Sequence, residues 1–175
     1  KAVVYDAERW QPYRAFIKCI FVKTYKEAIT DFEDCIKKFG NNYVMDHTYN
    51  FYIAISYLQL NEFEKAEALL DDYINEIKLK NGADWLHPTA LFYQGISKYE
   101  LRKYEEAIIS FDLALKSNKN FAEPKFYKAI CFAKLGNTDA FKPLFEEAVE
   151  DGKSGYTLNE DNTIYETYPY QIRWK

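Results

Sequence analysis

Apolar positions recur along the chain at offsets of three, four and three residues in four places. They are Tyr25, Ala28, Phe32 and Cys35; Phe63, Ala66, Leu70 and Tyr73; Tyr104, Ala107, Phe111 and Ala114; and, more weakly, Thr138, Phe141, Phe145 and Ala148. Such offsets keep side chains on one face of an α-helix. The sets begin 38, 41 and 34 residues apart, which marks an internal repeat. Twelve residues before Ala28, Ala66, Ala107 and Phe141 stand Phe16, Ala54, Gly95 and Ala129. All but Phe16 are small, as required where two helices cross closely, so a second helix precedes each set. Short polar turns separate the two: Lys23-Thr24, Leu60-Asn61-Glu62, Leu101-Arg102-Lys103 and Leu135-Gly136-Asn137. Each unit reads as helix, tight turn, helix.

The clearest copy carries Leu91, Gly95, Tyr104, Ala107, Phe111 and Ala114. In these residues the chain resembles the tetratricopeptide repeat family, over about residues 9–153. The resemblance implies an all-α, right-handed superhelical solenoid of about four helical hairpins within residues 1–155. Repeats are expected at about 9–40, 47–80, 88–121 and 122–153. The outer copies depart from the family pattern, with Phe16 and Phe141 at sites where it has small residues and Pro143 close behind. Degenerate terminal repeats often act as caps. Pro12, Asn50, Leu91 and Lys125 replace the family's aromatic near the start of the first helix. Its closing proline is missing, while Pro88 and Pro124 are placed to open helices.

Residues 78–87 lengthen the second unit, with Asn81-Gly82 as a stop signal and Trp85 and Leu86 on a loop. Gly152 is expected to end the last repeat helix. In the tail, 156–175, residues 161–166 suit a short helix that Pro169 stops. Tyr168, Tyr170, Ile172 and Trp174 then alternate with polar residues or proline, which predicts an extended segment with one apolar face. So aromatic a tail should be ordered on the repeats. It has two possible docks, the terminal edge formed by Phe141, Phe145 and Val149 or the inner face of the first helices. Loop closure favours the edge.

Composition narrows the function. Lys and Arg number 23 against 27 Asp and Glu, for a net charge of −4. That balance argues against phosphate-driven nucleic-acid binding and against a polybasic membrane-surface protein. No 18-residue apolar run or signal peptide is legible, and the first residue, Lys1, suggests trimming of a preceding segment. Cys19, Cys35 and Cys131 are odd in number and lack metal spacing, so reduced, buried thiols in a cytoplasmic protein are expected. No nucleotide-binding or hydrolase motif occurs. His47 and His87 read as helix-start or surface residues. The acidic pairs Asp71-Asp72, Glu105-Glu106 and Glu146-Glu147 read as solvated helix faces. The expected cofactors, metals and small-molecule substrates are therefore none.

One ladder remains. Tyr13, Phe51, Phe92 and Phe126 recur at the same place in each unit, each followed four residues later by Ile17, Ile55, Ile96 or Ile130. In proteins resembling this family, first helices line the concave surface. The ladder, with Tyr99, is thus either an apolar groove for a partner protein or peptide, or ordinary core between repeats. Sixteen Tyr and thirteen Phe supply ample contact area for either. The expected function is a non-enzymatic protein-interaction module, as an adaptor or scaffold. The alternative is a dedicated neutraliser, an immunity protein against a bacterial toxin or a chaperone of a secreted effector.

Overall fold

The computed structural model describes residues 2–160 and 162–174. The chain divides into two compact units, Lys1–Tyr73 with Asp161–Pro169, and Ile74–Glu160 with Tyr170–Lys175. Both are helical, and the described strands form a single two-stranded ribbon.

The first unit holds α1 (Ala2–Tyr5), α2 (Ala7–Ile17), α3 (Tyr25–Phe39), α4 (Tyr49–Gln59) and the first part of α5 (Phe63–Asn81). Asp6 starts α2 by accepting the Arg9 backbone N–H at 3.1 Å, the usual role of an N-cap carboxylate. One π-helical turn, Lys18–Val22, extends α2 before the chain reverses. The strands β1 (Tyr43–Val44) and β2 (His47–Thr48) pair antiparallel and lead into α4. Phe32 stacks on Tyr49 and on Tyr52, and Phe16 meets Tyr52 edge-on at 5.4 Å. Phe16 is thus an ordinary core residue despite its size. Of residues 161–166, expected as a short helix, Asp161 lies outside the described residues and 162–166 form turns instead. Asn162 has φ of 68°, and its carbonyl accepts from both Tyr165 and Glu166. Glu166 pairs with Lys23 at 2.8 Å, and Tyr168 is buried.

The second unit holds the rest of α5, a 3-10 turn (Ala83–Trp85), α6 (Pro88–Glu100), α7 (Tyr104–Ser117), α8 (Ala122–Lys134) and α9 (Thr138–Lys153). Pro88 opens α6, and His87 caps it, its Nδ1 accepting the Thr89 N–H at 3.3 Å. Gly95 is required at the α6–α7 crossing, because a Cβ there would lie 2.3 Å from the Phe111 ring. The Ala122 N–H donates to the Tyr156 carbonyl at 2.8 Å, tying the start of α8 to the end of α9.

The turn inside every hairpin uses one device. Lys23, Asn61, Arg102 and Gly136 all have left-handed φ, between 60° and 77°, five residues before the matching Ala28, Ala66, Ala107 and Phe141. In the last three hairpins the next N–H (Glu62, Lys103, Asn137) returns to the carbonyl of Tyr57, Lys98 or Phe132. That bond satisfies a carbonyl that the helix end leaves open.

Candidate interaction surfaces

The ladder does not form one continuous exposed groove. In the first unit Tyr13 and Ile17 are 45% and 46% exposed, but Phe51 and Ile55 are 0% exposed. In the second unit Phe92 and Ile96 are also 0% exposed, while Tyr99, Phe126 and Ile130 are half-buried. The expectation that all nine line an open groove is therefore corrected for the middle four. The reason is packing. Phe51 stacks on the His47 ring at 3.7 Å and meets Tyr73 at 6.0 Å. Phe92 sits among Phe111, Phe121 and Tyr127 at 5.6 to 6.2 Å. Core burial of these rings stabilises the hairpins and leaves nothing for a partner.

One face of α2 stays open. Trp10, Tyr13, Ile17 and Val22 line a groove of about 550 Å3 with Arg14 and Lys18 at its side. Both cations are already paired. Arg14 donates to both oxygens of Asp31 (2.7 and 2.6 Å), and Lys18 lies 3.0 Å from Asp31 and 3.2 Å from Glu27. The groove therefore presents apolar surface beside neutralised charge. Trp10 stands three residues before Tyr13 on the same helical face, and no other unit repeats that spacing, so the ladder pattern does not mark it.

The tail forms the other surface feature, in the second unit. Tyr170 lies edge-on to Tyr127 at 6.0 Å, and its hydroxyl donates to Glu100 at 2.9 Å. The Ile172 N–H donates to Glu123 Oε1 at 3.4 Å. Trp174 meets Phe126 edge-on at 5.9 Å and covers Gly152, whose missing Cβ would lie 2.1 Å from the indole. This is the first-helix face, beside ladder residue Phe126. The contacts combine this face with Gly152 of the terminal helix α9, while the expected edge residues Phe145 and Val149 line an open depression. Gly152 does not end α9, which runs to Lys153; it is buried and makes room for a side chain.

Glu123 is a buried carboxyl on α8. Burial pushes its pKa up to about 7, against the pull of backbone N–H donors and Trp174. Its Oε2 accepts the Leu158 N–H at 2.9 Å. The three thiols are free and buried, and burial lifts Cys19 and Cys131 to about 12 and Cys35 to about 11. They stay protonated near neutral pH and are poor nucleophiles. His47 is buried rather than at the surface, with its Nδ1 3.3 Å from the Tyr73 hydroxyl. No described helix is long and apolar enough to cross a membrane.

Comparison with known proteins agrees with this architecture. The tetratricopeptide repeat family model matches residues 89–120, which are α6, α7 and the following turn. No curated protein matches the chain. Among solved structures, a crystal structure of MamA aligns with a TM-score of 0.70 at 12% identity, over 89% of this chain and 85% of that one. MamA from residue 41 onward, from Desulfovibrio magneticus RS-1, aligns with a TM-score of 0.71 at 12% identity, over 84% and 76%. MamA AMB-1 aligns with a TM-score of 0.59 at 19% identity, over 74% and 70%. At these identities the likeness speaks for the fold alone. The second unit thus carries a tetratricopeptide repeat at residues 89–120, and the fold around it is one of helical hairpins.

Proposed function

We propose that this chain is a non-enzymatic protein-interaction module and that the α2 groove receives an apolar peptide or helix of a partner protein. The observation that carries the reading is the exposure of Trp10, Tyr13, Ile17 and Val22 together on one helical face. In the middle of the ladder, Phe51, Ile55, Phe92 and Ile96 are withdrawn into core. Large apolar side chains grouped around a groove are the usual centre of a protein interface, where Trp and Tyr carry a disproportionate share of the binding energy. The paired state of Arg14 and Lys18 favours an apolar partner segment over an acidic one, since a new anion would have to displace Asp31 and Glu27.

Site-specific photo-cross-linking tests this. A photoreactive phenylalanine analogue replaces Tyr13 in one sample and Ile109, which is exposed on α7, in another. In lysate of the source cells, the Tyr13 probe should give a discrete adduct that Ile17→Glu removes. No adduct at position 13, or the same adducts from position 109, would overturn the proposal.

A further inference from the structure

We infer that the face built by α6, α8 and α9 is a receptor for a peptide segment with an aromatic-x-aliphatic-x-aromatic pattern, and that residues 170–174 occupy it in cis. This second site lies in the second unit and does not rest on the α2 groove.

The receptor features belong to the helices. Gly152 leaves a flat socket in α9 that the Trp174 indole fills. Glu100 at the end of α6 accepts a phenol proton, and Phe126 and Tyr127 on α8 provide ring edges for the two outer aromatics. The Glu123 carboxylate accepts a backbone N–H of the segment and is held in aim independently of residues 170–174, because its other oxygen accepts the Leu158 N–H. A site whose acceptor is fixed before the ligand arrives loses less ordering entropy on binding.

The occupant behaves as a ligand more than as core. Tyr170, Ile172 and Trp174 are each only half-buried, whereas Phe92 and Phe111 beside them are fully buried. Tyr170 leaves a turn with a left-handed φ of 59°, after which Ile172 and Trp174 are half-buried and Arg173 is exposed. Peeling the segment away breaks no helix. A tethered occupant acts at high effective concentration, so a partner of the same pattern binds only the fraction of molecules whose tail is out. The geometry thus makes the tail a built-in competitor and states the chemistry of what it competes with.

The test uses the full chain and a fluorescent peptide of sequence Tyr-Pro-Tyr-Gln-Ile-Arg-Trp, followed by anisotropy. Trp174→Ala weakens the cis occupant and leaves the socket intact, so this variant should bind the peptide at least tenfold more tightly than wild type. A peptide with alanine in place of its tryptophan should show no such gain. Adding Gly152→Ala to Trp174→Ala should abolish the gain, since the new Cβ fills the socket. Alanine is the better helix former, so circular dichroism should show helix content retained. In wild type, saturating peptide should also speed amide exchange at residues 170–174. Equal affinity of wild type and Trp174→Ala, a gain that survives Gly152→Ala, or unchanged exchange under saturating peptide would each overturn the inference. Concentration-dependent dimers of the wild-type chain at titration concentrations would overturn it in favour of tail exchange between copies.

Discussion

Replacing Phe92 by Ala separates core from groove most cleanly. Its ring is fully buried and faces Tyr93 at 5.1 Å, Phe121 at 5.6 Å, Tyr127 at 5.9 Å and Phe111 at 6.2 Å. Truncation removes the transfer free energy of the ring and leaves a cavity that rigid neighbours fill only in part. Such a change costs about 3–5 kcal/mol. For a chain of this size each kcal/mol lowers the melting temperature by about 2–4 °C. The expected fall is therefore roughly 6–20 °C in calorimetry, with a matching drop in the urea midpoint. Tyr13→Ala is the control. Its ring is nearly half exposed and packs on Trp10 at 6.2 Å, so it should cost under about 1 kcal/mol. Phe92→Ala should leave the partner affinity of the folded fraction unchanged, whereas Tyr13→Ala should reduce it. A loss below about 1 kcal/mol for Phe92→Ala would refute the core assignment, and the ladder would return as a candidate groove.

Other outcomes follow from the same contacts. Folded Glu123 keeps its proton up to about pH 7, against an ordinary value of 4.5, so the folded state binds more protons in that window and stability falls as pH rises through it. At 1.36 kcal/mol per unit the fall is at most about 3 kcal/mol; Glu123→Gln should remove it, and a carboxyl signal titrating below pH 5 by carbon NMR would rule it out. Cys19, Cys35 and Cys131 should resist a thiol reagent at pH 8 in the native state and all react in denaturant; rapid native labelling of any one would contradict their burial. Gly136→Ala should cost about 1 kcal/mol by urea unfolding, because φ of 77° is strained for a residue with a Cβ although nothing crowds that Cβ; no change would mean that the turn relaxes freely.

Much of the fold was legible because the 3-4-3 sets are periodic and the helix-crossing sites are small. Gly95 against Phe111 is the plainest case, a spacing in the sequence that becomes a ring packed on a bare backbone. The left-handed turn residues were not legible, since Lys23, Asn61 and Arg102 do the work that glycine does at position 136. The ladder was visible as a pattern, but its meaning was not. Spacing of i and i+4 fixes which face of a helix a residue takes, while burial depends on what packs against that face. Phe51 and Tyr13 hold the same place in their units; His47 covers the first, and Tyr13 meets Trp10 on its own helix. The tail's alternation predicted an extended segment from Tyr168 to Trp174, but Tyr170 sits in a turn with a left-handed φ of 59°. The tail's dock was not legible, because it depends on an absent side chain at Gly152 and on a carboxylate brought near by α8.

The central claim is that α2 carries the partner-binding face and the buried ladder does not. Its most direct test is the affinity of the partner captured through position 13, measured by calorimetric titration against wild type and Ile17→Glu. Ile17 is 46% exposed, so the charge is tolerated by the fold and the melting temperature should stay within a few degrees. An affinity loss of at least tenfold with folding intact is expected. Unchanged affinity in the folded Ile17→Glu chain would contradict it.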